Sequence, residues 1–322
     1  MSAGISDSPS GGSVFGLENE AHGLAERLPD LVLEAMRVAN TVAHGIHGRR
    51  RAGPGETFWQ FRHFQFSDTA QMIDWRRSAS SDQLFVRERE WEAAHTVWLW
   101  SDRSPSMRFQ SELSQTSKHD RGLVLMLALS ELLVRGGERI GVLGLTQPTA
   151  SRRASTRVAE ALATSAGLPS QAASLPPPVR LGRFTSAVII SDFLDPPEEI
   201  GQRLGVLAAN GVEGHLVQVL DPAEETLPYE GRAEFLGLEG DDRMLANRVE
   251  ALRERYVEKL ALHRAAVEQV ARRMGWSFLV HHTDRPAGEA LLSLFTRMTS
   301  AAGDYRWSQP QSSGPARPGG RA

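Results

Sequence analysis

The chain has 322 residues, of which 41% are apolar and 23% charged, with a formal net charge of −3 and no cysteine. This is the composition of a globular protein with material for one large or two ordinary domains. It excludes disulfides, thiolate zinc sites and cysteine nucleophiles, gives no overall push toward nucleic acid or an anionic membrane, and points to a reducing, cytoplasmic setting.

The opening "MSAGISDSPSGGSVFGLENE" has neither the basic start nor the apolar core of a signal peptide, so residues 1–24 read as a disordered leader. Residues 28–42 ("LPDLVLEAMRVANTV") carry apolar side chains at helical spacing, with Pro29 and Asp30 placed as first-turn residues. Gly53, Pro54 and Gly55 then impose a loop. "TFWQFRHFQF" and "LFVREREWE" alternate apolar with polar residues, which predicts two paired strands. Residues 25–92 are therefore expected to form a helix, a basic loop and a small β-rich lobe.

From His95 onward apolar runs alternate with helical patterns. Strands are predicted at residues 96–101, 139–145, 186–191 and 214–220 and at "WSFLVHH". Helices are predicted at 118–135, near 154–166 and 198–210, over 241–274 and over 287–300. Near-continuous apolar strands separated by helices indicate an α/β fold, with a mostly parallel sheet covered on both faces, across residues 93–305. The longest apolar stretch, "LVLMLALSELLV", is broken by Glu131 and falls short of the roughly 20 residues of a membrane span. The tail, residues 306–322, has a disordered composition.

The stretch "SDRSPSM" follows the first buried strand directly. In an open parallel sheet, ligands bind at the carboxyl ends of the strands. Asp102 stands at such an end, and in extended backbone Asp102, Ser104 and Ser106 turn to one side. Pro105 keeps Ser104 extended. "AVIISD" also ends in an aspartate and brings Asp192 to the same edge. Two hydroxyls and two carboxylates are an all-oxygen set suited to Mg²⁺ or Mn²⁺. The alternative for each aspartate is an ordinary turn or helix cap.

Asp102, Ser104, Ser106 and Met107 resemble the metal-ion-dependent adhesion site of von Willebrand factor A domains. The block from Gly48 to Glu92, with Asp68 and the triplet Ile73, Asp74 and Trp75, resembles the hallmark segment of the bacterial "domain of unknown function 58" family, and the likeness runs on through "SDFLDP" to "HHTDRPAGEALL". Ser67 replaces the family's glycine before Asp68, and Gln71 replaces the arginine before the triplet. A third metal loop with a threonine is not evident; Thr149 and Thr156 are the nearest candidates. The resemblance implies a von Willebrand factor A-like, Rossmann-like domain that is not an enzyme. It implies a protein-interaction or adaptor module working with a MoxR-type AAA+ ATPase and its target complex, with Mg²⁺ or Mn²⁺ at Asp102, Ser104, Ser106 and Asp192. Arg50, Arg62, Asp68, Asp74, Trp75 and Arg76 are then candidates for partner binding or for docking the small lobe. Because a buried carboxylate needs donors and an indole needs apolar contact, Asp74 is expected to be at least half buried and bonded to an arginine or to backbone N–H groups, with Trp75 packed beneath it.

Two other functions compete. The same sheet edge could serve a metal-dependent phosphohydrolase, although the dehalogenase type wants a second aspartate where Ser104 stands. The arginines among residues 49–89, interleaved with Trp59, Phe61, Phe64 and Trp75, could bind single-stranded nucleic acid, or could pair with nearby acids around an aromatic core.

Overall fold

The computed structural model of the chain describes residues 11–47, 58–65, 69–79, 81, 83–89, 95–165, 173–238 and 243–305. It divides into two units, residues 44–94 and the remainder of the chain.

The smaller unit holds two antiparallel strands, β1 (Phe58–His63) and β2 (Phe85–Arg89), joined through the short helix α2 (Trp75–Ser78). An isolated bridge from Ile73 to Val86 extends the pair. Both residues are buried. Arg50 and Asp68 lie outside the described residues.

The larger unit contains a five-stranded, all-parallel sheet made of β3 (Thr96–Ser101), β4 (Arg139–Val142), β5 (Thr185–Ser191), β6 (Glu213–Leu220) and β9 (Ser277–His282). In space the order is β4-β3-β5-β6-β9. The helix α3 (Lys118–Arg135) is buried almost all round from Gly122 to Leu133, as its continuous apolar sequence requires. It packs on the sheet and against α8 (Ala287–Tyr305). Between α3 and β3 the approach is so close that a Cβ at Gly122 would stand 2.8 Å from Ser101 Oγ. The other face carries α5 (Pro197–Ala208) and α7 (Glu250–Arg273), whose Ile200, Leu204, Leu207, Val267 and Ala271 meet Ala187, Ile189 and Leu216 of the sheet. Each large apolar side chain so buried contributes about 1.5–3 kcal/mol. The helix α4 (Ala154–Ser165) leans on α3.

Three expectations are corrected. Helix α1 runs from Gly11 to His47, so residues 11–24 are its first turns rather than a leader, and Pro29 lies inside it. Leu24, Leu28, Leu31, Ala35, Ala39 and Val42 form its buried stripe, and α1 as far as Ala43 belongs to the larger unit rather than to the small lobe. Residues 243–246 are not the start of a long helix. They form β8 (Arg243–Ala246), paired antiparallel with β7 (Ala233–Leu236), and α7 begins only at Glu250. The expected disordered tail lies outside the described residues.

Candidate functional site at the strand ends

Numbered in chain order, the five parallel strands follow the doubly wound order 2-1-3-4-5. Such a sheet changes winding direction between its first and third strands, here β3 and β5, and leaves a crevice at their carboxyl ends. Asp102 follows β3 and Asp192 follows β5, so the topology alone brings both carboxylates to that crevice.

Ser104 is extended, as the following Pro105 requires, but Pro105–Arg108 then forms a 3-10 turn, ending the simple alternation. The turn still returns Ser106 toward Ser104, and their hydroxyls are 3.1 Å apart. Ser106 donates to Asp192 Oδ2 at 2.8 Å. Asp102 is fully buried and has both oxygens occupied. Its Oδ1 accepts the backbone N–H of Ser104 at 2.7 Å, and its Oδ2 accepts the hydroxyl of Ser191 at 2.7 Å. Burial, and then the charge of Asp192, push the Asp102 carboxyl up to about 7. Arg103 points the other way and reaches Ser165 Oγ and the Leu162 carbonyl at the end of α4, a favourable place for a cation.

Asp192 is held by strained backbone. Phe193 has a φ of 51°, a left-handed conformation that costs a bulky residue about 1–2 kcal/mol. Its ring is buried, its N–H bonds Ser191 Oγ, and its carbonyl is 2.7 Å from His263 Nε2. These contacts hold the turn of the chain immediately after Asp192.

Sequence reasoning missed the residue at the centre. Lys118, the first residue of α3, is 0% exposed and donates to Asp192 Oδ2 at 2.8 Å and to Glu224 Oε1 at 2.5 Å. Burial alone would lower its pKa, yet the charges and hydrogen bonds of Asp192 and Glu224 outweigh that and raise it, so it is an ammonium. Glu224 arrives on α6 (Pro222–Thr226), where Asp221 and Glu224 form a reciprocal capping box. Asp221 also receives the N–H and hydroxyl of Ser111, which ties the loop after β3 to the end of β6. One signal was available: a lysine in the first turn of an otherwise apolar helix, where the helix dipole disfavours a cation.

The donors are of the right type for a hard cation, but their arrangement does not fit one. Asp192 Oδ2 is engaged by Lys118 and Ser106, and both Asp102 oxygens are engaged by protein donors. The Thr149 hydroxyl accepts the N–H of Ser151, and Thr156 is exposed on α4.

The candidates in the smaller unit are placed separately. Asp74 is partly buried and caps α2 by accepting the backbone N–H of Arg77 at 2.9 Å. Trp75 is 63% exposed, against the expectation that it packs beneath Asp74. As the first residue of a single-turn helix whose buried position is Ser78, it projects outward. Arg76 is exposed, and the backbone of Arg62 pairs with Val86.

The model of the family described as "Protein of unknown function DUF58" matches residues 60–266. The uncharacterized proteins Rv1480 of Mycobacterium tuberculosis (strain H37Rv) and Mb1516 of Mycobacterium bovis are each 28% identical over 276 residues, covering 81% of this chain and 86% of theirs. Two solved structures align with 64% of this chain and all of their own. One is an aerotolerance-related membrane protein from Bacteroides fragilis, at 17% identity and a TM-score of 0.39. The other is the conserved hypothetical protein BatB from Bacteroides thetaiotaomicron, at 13% and 0.33. Among the described residues of this chain, no helix is long and apolar enough to cross a membrane. With the family model spanning well over half its length, the chain belongs to the DUF58 family.

Proposed function

We propose that the chain is a non-enzymatic interaction module that presents the strand-end loops of a von Willebrand factor A-like domain to a protein partner. The observation that carries this reading is the fixation of those loops. Asp102, Ser104, Ser106, Lys118, Asp192, Asp221 and Glu224 are bonded to one another or to nearby backbone. A hydrolase needs a nucleophile beside a base that is free to take its proton. Here the Ser106 hydroxyl donates to a carboxylate already held by an ammonium, an arrangement for holding loops still. The same loops expose Leu113 (52%), Leu194 (44%) and Tyr229 (38%), large side chains of the kind that anchor interfaces.

Following the family resemblance, the partner is a MoxR-type AAA+ ATPase, and the module's role is to help assemble or activate the ATPase's target. The test is co-elution of the purified full chain with the MoxR-type ATPase of the same cell, using Leu194→Arg and Leu113→Arg variants of unchanged circular dichroism. Wild type is expected to co-elute and the variants to lose the complex. An unchanged complex in both variants overturns the reading, as does Mg²⁺-dependent phosphate-ester hydrolysis by the wild type that Asp102→Asn abolishes.

A further inference from the structure

We infer that the Lys118 ammonium is the resident cation of the strand-end site, so that the site is organised, and recognised, without a divalent metal. The inference concerns the site of the proposed function and rests on that reading.

The position of the ammonium carries it. Lys118 Nζ lies within hydrogen-bond distance of one carboxylate from the loop after β5 and one from α6, the short helix that follows β6, at 2.8 and 2.5 Å. It thereby joins two strand-end loops, as a shared metal ion would. The Asp192 oxygen it holds is the one that accepts the Ser106 hydroxyl, so the loop after β3 joins the same node. The Phe109 ring stands 6.0 Å from the ammonium and closes another side with its apolar, electron-rich face. A Mg²⁺ or Mn²⁺ ion needs oxygens turned inward at roughly 2.1 Å in near-octahedral array. An ion bound through Asp192 Oδ2 would face the ammonium across a single oxygen, and the repulsion of two cations at that distance opposes its binding. Lys118 has no evident exit, since it is fully buried beneath these groups. Its placement is also otherwise unrewarded. At the first position of α3 an ammonium opposes the helix dipole and pays desolvation, and the two carboxylates are what offset both.

The chemistry differs from that of a metal centre in two ways. A lysine cannot be removed by a chelator, and it presents no open coordination position to a partner's carboxylate. The outer groups offered to a partner are the Ser106 hydroxyl and the Glu224 carboxylate, both only partly buried.

The test uses the full chain and Mn²⁺ or Mg²⁺ alone as probe. In wild type, the thermal midpoint is expected to be the same in EDTA as in millimolar Mg²⁺ or Mn²⁺, and a Mn²⁺ titration followed by electron paramagnetic resonance should leave the free-ion signal undiminished by any site that Asp192→Asn removes. Lys118→Met, which keeps the stem and deletes the ammonium, is expected to melt lower and to recover part of the loss on adding Mn²⁺, as the freed carboxylates accept an ion. One equivalent of Mn²⁺ bound by wild type and abolished by Asp192→Asn overturns the inference, and that measurement stands even if Lys118→Met does not fold. Mn²⁺ binding that survives Asp192→Asn but is lost in Asp102→Asn also overturns it, whereas binding that survives both lies elsewhere and counts in its favour. These readouts do not involve the partner, so failure here is distinct from loss of the ATPase complex.

Discussion

The indole of Trp276 lies across Gly214, so closely that a Cβ on Gly214 would stand 1.8 Å from Trp276 Cδ2. The ring is 3% exposed, and its N–H donates to the Val212 carbonyl at 2.9 Å. The contact fastens the segment before β9 to the start of β6. Gly214→Ala cannot be absorbed by a rotamer change of a ring hydrogen-bonded in place, and a cost of about 1–3 kcal/mol or more is expected. Chemical denaturation of the variant against wild type measures it.

Ser191 and Ser106 each donate to an aspartate of the site, yet they are expected to respond differently to removal. Ser191 is fully buried and serves two partners, Asp102 Oδ2 and the Phe193 N–H. Ser191→Ala leaves both without their bond in a fully buried place, for a loss of about 1.5–3 kcal/mol. Ser106 is only partly buried, so Ser106→Ala should cost less, and the order of the two denaturation midpoints is the check.

Asp74→Ala removes a helix cap rather than half of a buried ion pair. The expected loss is about 1 kcal/mol, in place of the ~3–5 kcal/mol of a broken buried pair. A loss of the larger size would show that its carboxylate does more than accept the Arg77 N–H.

Acid should destabilise the larger unit through two histidines. His281 is lowered to about 3, by burial first and then by the charges of Arg121 and His282, and His215 is lowered to about 4, by burial and then Arg297. Both rings stay neutral in the folded chain, while the unfolded chain protonates them below its ordinary value near 6.5. Their contribution is complete above pH 6.5 and is lost progressively as the pH falls toward 4 and then 3. Asp102, raised to about 7, works in the opposite sense over the same range, so the histidine share is read by difference: the wild-type midpoint minus that of His281→Gln should shrink as the pH falls from 6.5 toward 3.

Much of the sheet was legible because buried parallel strands are written as unbroken apolar runs, and "TVWLW" and "AVIIS" have no other reading. The helix from Lys118 was legible for a similar reason, since Ser117 caps it and Gly136 ends it. Strand β8 was not. "RMLA" has no pattern of its own and becomes a strand only by pairing with β7, a contact invisible in a local window. The first turns of α1 were hidden by Gly16 and Gly23, which weaken a helix on its own without forbidding one. At the site, the aspartates and serines could be read from strand ends. Lys118 could not be joined to them, because its place beside Asp192 depends on where α3 begins relative to β5.

The outer edge of β4, away from β3, has its polar groups already spoken for. The Ile140 N–H and carbonyl both pair with Thr149, and the Val142 N–H bonds Thr146 Oγ1. At the opposite border the Phe278 carbonyl of β9 accepts the Arg297 guanidinium. The β4 flank therefore offers no clean row of donors and acceptors, which makes it a poor template for lateral growth by an added strand, whether from a partner peptide or from a second copy stacking into an aggregate.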